Sequence, residues 1–414
     1  MLADLAANAR TDSEPVLAFR NVDILFAGTH RPAVLDRAKA MLDAGRNRFE
    51  IAADTGVVVG VAGASLDIAA GEISVLMGLS GSGKSTLLRA ANGLNRVTRG
   101  QVLLKDQDGL VDVARCNRVT LRRLRTERIA MVFQQFALLP WRTVRENVGL
   151  GLELRGMPEA ERRRVVDEKL RLVALEQWAD RYAAELSGGM QQRVGLARAL
   201  ATDADILLMD EPFSALDPLI RTKLQDELLA LQKNLRKTIL FVTHDLDEAL
   251  KLGNRISILE GGRIVQTGTP EEIVLNPADD YVAEFVQHMN PLTVLKGMAV
   301  MRGVPDLARE GEAVLLDPAR RYRFQAGPRE LGRLWLNGVE VPLAEGAVSG
   351  AAGAAVVPPT TPLRRIVELR QASGHPVLLA EEGKLVGVCD GDEILRALAT
   401  TQRERQGVRE EAVV

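Results

Sequence analysis

The stretch at residues 78–85 constrains this chain more than any other. Gly78-Leu79-Ser80-Gly81-Ser82-Gly83-Lys84-Ser85 fits the spacing G-x-x-x-x-G-K-[ST], directly after the apolar run Ile73–Met77 and at the head of a helical pattern through Ala91. The run is short enough for a strand buried on both faces. Glycines let the backbone curl until successive N–H groups face one anion, the helix N-terminus adds its partial positive charge, and Lys84 supplies a mobile ammonium. Ser85 can then offer a hydroxyl to Mg²⁺ bridging phosphate oxygens. Strand, glycine-rich loop and helix together read as a phosphate grip in an α/β sheet.

Two further apolar runs, Ile206–Met209 and Thr238–Thr243, read as buried parallel strands separated by the helical Ile220–Leu235, the grammar of a doubly wound sheet. Asp210 and Glu211 follow the first run, at the edge where such a sheet exposes its ligand-facing residues. They can divide the labour: Asp210 holds the metal's water shell, and Glu211 orients and polarises an attacking water, a role worth about 10²–10⁴ in rate. Gln134, after Ile129–Phe133, and His244, after Thr238–Thr243, also project from strand ends. Gln134 suits Mg²⁺ or water without changing charge, and His244 can reach a γ-phosphate through a ring N–H. His30, His288 and His375 read as ordinary polar packing.

Leu186-Ser187-Gly188-Gly189-Met190-Gln191-Gln192 is a second small-residue loop at a helix start, hence a second anion site. The chain carries two phosphate grips but one Lys, one Ser for metal and one Asp-Glu pair. Two copies head to tail would complete two sites, each nucleotide lying between the first loop of one chain and Ser187-Gly188-Gly189 of the other.

The remaining organisation is coarser. Val16–Phe26 alternates as a strand, Arg31–Arg48 reads as a short helix, and Pro158, Glu159 and Glu161 open another with Arg162 to Arg164 on its solvated side. Arg255–Leu259 and Arg263–Gln266 flank a hairpin turn, and Thr269-Pro270-Glu271-Glu272 caps a helix. The first domain closes near Asn290-Pro291. Met301–Glu345 is weakly periodic, Glu345–Ala355 reads as a linker or loop, and the tail reads helix, strand, strand, helix from Pro362 to Leu398.

With these motifs in hand, the chain resembles ATP-binding cassette (ABC) ATPases, the nucleotide-binding subunits of ABC transporters. The resemblance rests on GLSGSGKST (78–86, adding Thr86), VFQ (132–134), LSGGMQQ (186–192), ILLMDEP (206–212), SALD (214–217) and THD (243–245), in family order across about residues 15–290. It implies a P-loop NTPase cassette at 1–290: a RecA-like core, an antiparallel β subdomain and a helical subdomain about 136–200. It also implies bound ATP and Mg²⁺. Gly78, Ser80, Gly81, Ser82, Gly83, Lys84, Ser85 and Thr86 would grip the phosphates. Ser187, Gly188, Gly189, Gln192 and Asp217 would close the site across a dimer. Glu211 would be the general base, His244 the γ-phosphate contact, and Gln134 the link from metal and water to the helical subdomain.

Narrower resemblances follow. ANGLNRVTRG (91–100), FALLPWRTVRENV (136–148), GGRIVQTGTPEEIVLNPADDYVAEFV (261–286) and the helix near 31–48 look like the glycine betaine/proline/choline group of importers, best its choline branch. GHPVLLAEEGKLVGVCDGDEILRAL (374–398) looks like one repeat of a cystathionine-β-synthase (CBS) module, with 295–340 a faint second, so 291–414 reads as a small α+β CBS-like or accessory region. Many ABC ATPases stack adenine on an aromatic a little more than twenty residues before the P-loop, but Asp54–Gly63 has none. Adenine contact is then expected from Val57 to Val59.

Composition limits the partners. Lys plus Arg number 53 against 55 Asp plus Glu, a formal charge of −2, so no global field would hold nucleic acid or anionic lipid. Aromatics at 4% argue against a base-stacking platform. Arg122, Arg123, Arg125 and Arg128, the one dense basic patch, read as a surface sharing charge with Glu127. Cys116 and Cys389 read as packing residues, and neither a signal peptide nor a membrane span is expected. The expected function is a MgATP-hydrolysing homodimer under transmembrane permease subunits, served indirectly by a solute-binding protein. It would lie peripherally on the cytoplasmic face of the bacterial inner membrane and drive uptake of a quaternary ammonium solute. The alternative is a soluble ABC ATPase acting on nucleic acid or the ribosome, a class that usually carries coiled-coil insertions or tandem cassettes.

Overall fold

The computed structural model describes residues 14–28, 32–107, 109–287, 290–327, 331–346 and 353–398. The chain divides into two compact units, Met1–Thr267 and Gly268–Val414. In the first unit the strands are β1 (Leu17–Ala27), β2 (Val57–Ile68), β3 (Ile73–Met77), β4 (Arg99–Asp106), β5 (Gly109–Asp112), β6 (Ile129–Val132), β7 (Ile206–Asp210), β8 (Thr238–Val242), β9 (Arg255–Glu260) and β10 (Arg263–Gly268). β2-β1-β4-β5 form an antiparallel sheet. β10-β9-β3-β8-β7-β6 form the second, with β9, β3, β8, β7 and β6 paired in parallel. Every residue of β3, β7 and β8 is buried, the reason these segments are mainly apolar rather than alternating. Their carboxyl ends carry the glycine-rich loop, Asp210-Glu211 and His244 to one edge of the sheet.

The helices Val144–Leu154, Glu159–Leu172 and Gly188–Ala201 pack on one another as the helical part of this unit. Thr143 and Glu146 form a capping box at the first of them. Fully buried Asn147 then ties down the loop behind Gln134: its Nδ2 donates to the Leu139 carbonyl at 3.0 Å, and its Oδ1 accepts from the Leu139 N–H at 2.8 Å.

The expected single helix over 31–48 is two, Pro32–Asp43 and Arg48–Thr55. Gly45 at φ 75° breaks the first, and an Asn47–Glu50 capping box starts the second. Two arginines of the patch pair with acids other than Glu127, and a third with a carbonyl. Arg123 pairs with Asp106, Arg128 with Asp205, and Arg125 donates to the Asn92 carbonyl at 2.8 Å.

The second unit has strands β11 (Arg302–Gly303), β12 (Arg309–Glu310), β13 (Ala313–Leu315), β14 (Tyr322–Ala326), β15 (Gly332–Leu336), β16 (Val339–Val341), β17 (Leu343–Glu345), β18 (Ala354–Val357), β19 (Val377–Glu381) and β20 (Lys384–Cys389). β12 to β16 form an antiparallel meander, and β11-β20-β19-β18-β17 a second sheet. Phe324, Leu334, Val356, Leu378 and Val388 bury one core between them. Residues 354–398 run strand, helix Leu363–Ser373, strand, strand and helix 391–398. Within 295–340, the stretch expected as a faint second repeat, the described residues hold the four-residue helix Gly297–Val300, short strands and one 3-10 turn.

The helices Pro270–Leu275, which starts on the expected Thr269 capping box, and Asp280–Val286 lie on this unit's side of the division. His375 Nδ1 meets the Tyr322 hydroxyl at 2.9 Å, and buried Cys389 has its thiol pushed up to about 12 by desolvation. His30, His288 and most of the expected linker lie outside the described residues.

Candidate active site

The phosphate loop is held by glycines that no other residue could replace. Gly78 sits at φ 146°, where a Cβ would stand 2.2 Å from the Leu259 carbonyl oxygen. Gly83 sits at φ 100°, with a Cβ position 2.4 Å from the Gly60 carbonyl oxygen. Gly83 is also the N-cap of the Lys84–Ala91 helix and supplies no capping side chain, so the first-turn amides remain for an anion. Lys84 is buried under the loop. Its Nζ donates to the carbonyls of Gly78 at 2.7 Å and Leu79 at 2.8 Å. Burial lowers its pKa from the ordinary lysine value, against the opposing pull of Glu211 and Asp210.

Asp210 is fully buried and both its oxygens are engaged: Ser85 Oγ donates to Oδ1 at 2.7 Å, and Arg89 donates to Oδ2 at 2.9 Å. Arg89 was not among the expected residues. Its signal was its place four residues after Ser85, on the same helix face.

Glu211 has φ 48°, a sparsely populated conformation for a side chain of its size, locked by its N–H donating to the Val242 carbonyl at 3.0 Å. Gln134 Nε2 donates to Glu211 Oε2 at 3.1 Å, and His244 Nδ1 lies 3.3 Å from the same oxygen. Two residues far apart in sequence thus converge on one carboxylate oxygen of Glu211. His244 is 61% exposed, leaving its ring open to a ligand.

Ser187 caps the Gly188–Ala201 helix by position only; its hydroxyl makes no capping bond, and it and Gly188 are exposed, with Gly189 half-buried. Gln191 props the loop from behind, donating to Ala183 and Leu186 carbonyls at 3.0 and 3.1 Å. Gln192, expected among the nucleotide contacts, is 1% exposed. It donates to the Glu211 carbonyl at 3.1 Å and accepts from the Ala215 N–H at 3.2 Å, which ties the second loop's helix to the turn carrying Glu211 in the same chain. Asp217 is exposed and caps the Pro218–Leu235 helix through the Ile220 N–H at 3.0 Å.

Of the three valines expected at adenine, the strands leave one facing out. Val57 and Val59 point inward, 0% and 5% exposed, into a cluster with Leu25, Leu42 and Ile51, and only Val58 faces out. An aromatic that the sequence did not place beside the phosphate loop is Phe26. The two inserted helices separate it from the phosphate loop in sequence, but antiparallel pairing of β1 with β2 sets it opposite Val58. Its ring, 44% exposed, lies over Gly60 beside Thr86: a Cβ at Gly60 would meet Phe26 Cε2 at 2.7 Å and Thr86 Cγ2 at 3.1 Å.

Residues 61–214 match the family model described as ABC transporter. The glycine betaine/proline betaine transport system ATP-binding protein ProV of Escherichia coli is 43% identical over 387 residues, 90% of this chain and 94% of that one. The glycine betaine/carnitine transport ATP-binding protein GbuA of Listeria monocytogenes is 41% identical over 88% of this chain and 94% of that one. Among solved structures, the dimeric cassette MJ0796 in a post-hydrolysis state bound to ADP and Pi matches with TM-score 0.52 and 31% identity, over 61% of this chain and 98% of that one. A strand-borne phosphate loop, a carboxylate turn gripped by Gln134 and His244, and similarity along nearly the whole chain place this protein in the ABC transporter family, as an ATP-binding, ATP-hydrolysing subunit.

Proposed function

We propose that the chain is the motor of an importer for a quaternary ammonium solute of the glycine betaine, proline betaine and choline class. One observation carries this reading: relatives that align over both units at 41–44% identity are named for betaine transport. A choline transport ATP-binding protein of Bacillus subtilis, OpuBA, is 46% identical but aligns over 54% of this chain, so betaines are the better-supported cargo. None of these relatives is named for nucleic acid or ribosomes, which favours transport over the soluble alternative.

In this reading Lys84, Gly78 and Ser80 to Thr86 bind the nucleotide phosphates, and Phe26 stacks on adenine. Mg²⁺ would be held by Ser85 and Gln134, with Asp210 behind them. This hydroxyl, amide and carboxylate oxygen set suits a hard cation, and Ser85 already stands 2.7 Å from Asp210. Bound there, the cation would neutralise charge on the phosphates. Glu211 takes the proton of the attacking water, its position fixed by Gln134, while His244 contacts the γ-phosphate. Ser187 and Gly188 to Gly189 face the nucleotide of a second copy, with Asp217 at the same interface.

Membrane attachment would come from permease subunits at the cytoplasmic face, since no described helix is long and apolar enough to cross a membrane. A cleft of about 600 Å³ lined by Arg118, Leu121, Arg122 and Leu154 offers them basic and apolar contacts. The cassette domain is 1–290, and 291–414 is a CBS-like accessory region. Deletion of the gene should abolish uptake of labelled glycine betaine at high osmolarity; the wild-type chain should restore it and Glu211→Gln should not. Restoration by Glu211→Gln, or uptake unaffected by the deletion, would remove the proposal.

A further inference from the structure

The two helices inserted between β1 and β2 have no part in the site described so far, yet one of their side chains reaches it. Arg48, the first residue of the Arg48–Thr55 helix, donates from NH1 to the carbonyl oxygen of Gly81 at 2.9 Å. Its guanidinium carbon lies 4.9 Å from the centroid of the neighbouring Phe49 ring, which restricts where the side chain can point. The base of the side chain is held as well. Asn47 accepts from the N–H groups of Phe49 and Glu50 at 3.0 Å each, Glu50 returns a bond to the Asn47 N–H, and the helix closes on Gly56 at φ 69°.

The peptide unit between Gly81 and Ser82 is held by one bond at each end: Arg48 donates to the Gly81 carbonyl, and the Ser82 N–H turns into the loop, where it donates to the Leu79 carbonyl at 3.2 Å. Gly81 itself sits at φ 77° with no neighbouring atom within 4 Å of its Cβ position. A peptide unit is planar and trans, so a carbonyl held outward on one side keeps the following N–H directed to the other. Without the Arg48 bond, only the Ser82–Leu79 bond would oppose a turn of this peptide, and glycine adds little steric cost; the turn would point a carbonyl dipole toward the phosphates instead of an N–H.

We propose that Arg48 is a positioning residue for nucleotide binding: by fixing the Gly81 carbonyl it keeps the tip of the phosphate loop in its anion-accepting orientation, and so links the inserted helices to ATP affinity. The inference rests on the ATP-hydrolysing function proposed above. The loop grips phosphates in the ground state and the transition state alike, so loss of the contact acts on KM more than on kcat.

The test uses the full-length chain. Arg48→Ala should raise the KM for ATP about three- to tenfold, the scale of one partly exposed charge-assisted hydrogen bond, with kcat within about twofold. The melting temperature without nucleotide should stay at the wild-type value, while the shift produced by a fixed subsaturating ATP concentration shrinks. Arg48→Lys, which can still donate to the carbonyl, should recover most of the affinity. A KM for Arg48→Ala equal to wild type, or a kcat that falls in step with an unchanged KM, would overturn the proposal. So would a lowered nucleotide-free melting temperature that Arg48→Lys fails to repair. If the wild-type chain neither binds nor hydrolyses ATP, the function itself fails, an outcome distinct from a wild-type enzyme indifferent to Arg48.

Discussion

Gln134 hands its side-chain amide to Glu211 across 3.1 Å, so the residue that ends one strand of the sheet orients the carboxylate that ends the next. A carboxylate held this way has one oxygen engaged and one left for water. Glu211→Gln keeps the size and the contact to Gln134 but removes the base. It should bind ATP with near wild-type affinity, lose about 10²–10⁴ in turnover, and accumulate as a nucleotide-bound dimer. Steady-state hydrolysis and size-exclusion chromatography with ATP read both effects. Wild-type turnover would take Glu211 out of the mechanism.

Phe26 should carry the adenine. Stacking of a base on an aromatic ring is worth about 1–3 kcal/mol, so Phe26→Ala should weaken ATP binding roughly five- to a hundredfold. The loss should be smaller for inorganic triphosphate, which has no base to stack. Val58→Ala, on the strand opposite, should change little. Equal losses for ATP and triphosphate in Phe26→Ala would show a damaged loop rather than a missing stack.

Legibility differed by the kind of interaction involved. The buried strands Ile73–Met77, Ile206–Asp210 and Thr238–Val242 were readable because burial on both faces leaves a short, mainly apolar run without alternation, and the phosphate loop because its glycines answer to backbone sterics that admit nothing else. Phe26 was not readable: its relation to Thr86 depends on a strand pairing that skips two helices, and distance along the chain says nothing about that. Arg89, and the contact that Gln192 makes, were hidden for a similar reason, since their partners Asp210 and Glu211 become neighbours only through packing. Met301–Glu345 gave weak periodicity because its strands are three to five residues long where they exceed a bridge, too short to establish alternation.

Ser187 offers the sharpest test of the shared site. Its hydroxyl has no capping role within its own helix, and it is exposed, so Ser187→Arg should leave the monomer folded and able to bind ATP. Placed against the nucleotide of a second copy, the longer side chain should block closure and cut hydrolysis by about 10²-fold, comparable to losing a preorganised donor. Mixing with a Lys84→Ala chain gives heterodimers in which one composite site has both defects and the other neither, so part of the activity should return. Unchanged hydrolysis in Ser187→Arg would refute the head-to-tail dimer.

Lys84 ties nucleotide affinity to pH. Burial holds its pKa below the ordinary 10.5, because desolvation outweighs the pull of Glu211 and Asp210. Without nucleotide, the unfolded chain binds more protons than the folded one between the lowered pKa and 10.5, so this group's contribution to stability rises with pH through that window. ATP reverses the balance: its phosphates favour the ammonium and push the pKa back up, and binding therefore takes up part of a proton in the same window. Affinity should fall as pH rises toward 10.5, and the binding enthalpy just below that pH should depend on the ionisation enthalpy of the buffer. Lys84→Met should bind ATP weakly and without that proton uptake. Buffer-independent enthalpies in the wild-type chain would mean that Lys84 keeps one protonation state throughout, and that its burial under the loop costs less than the geometry implies.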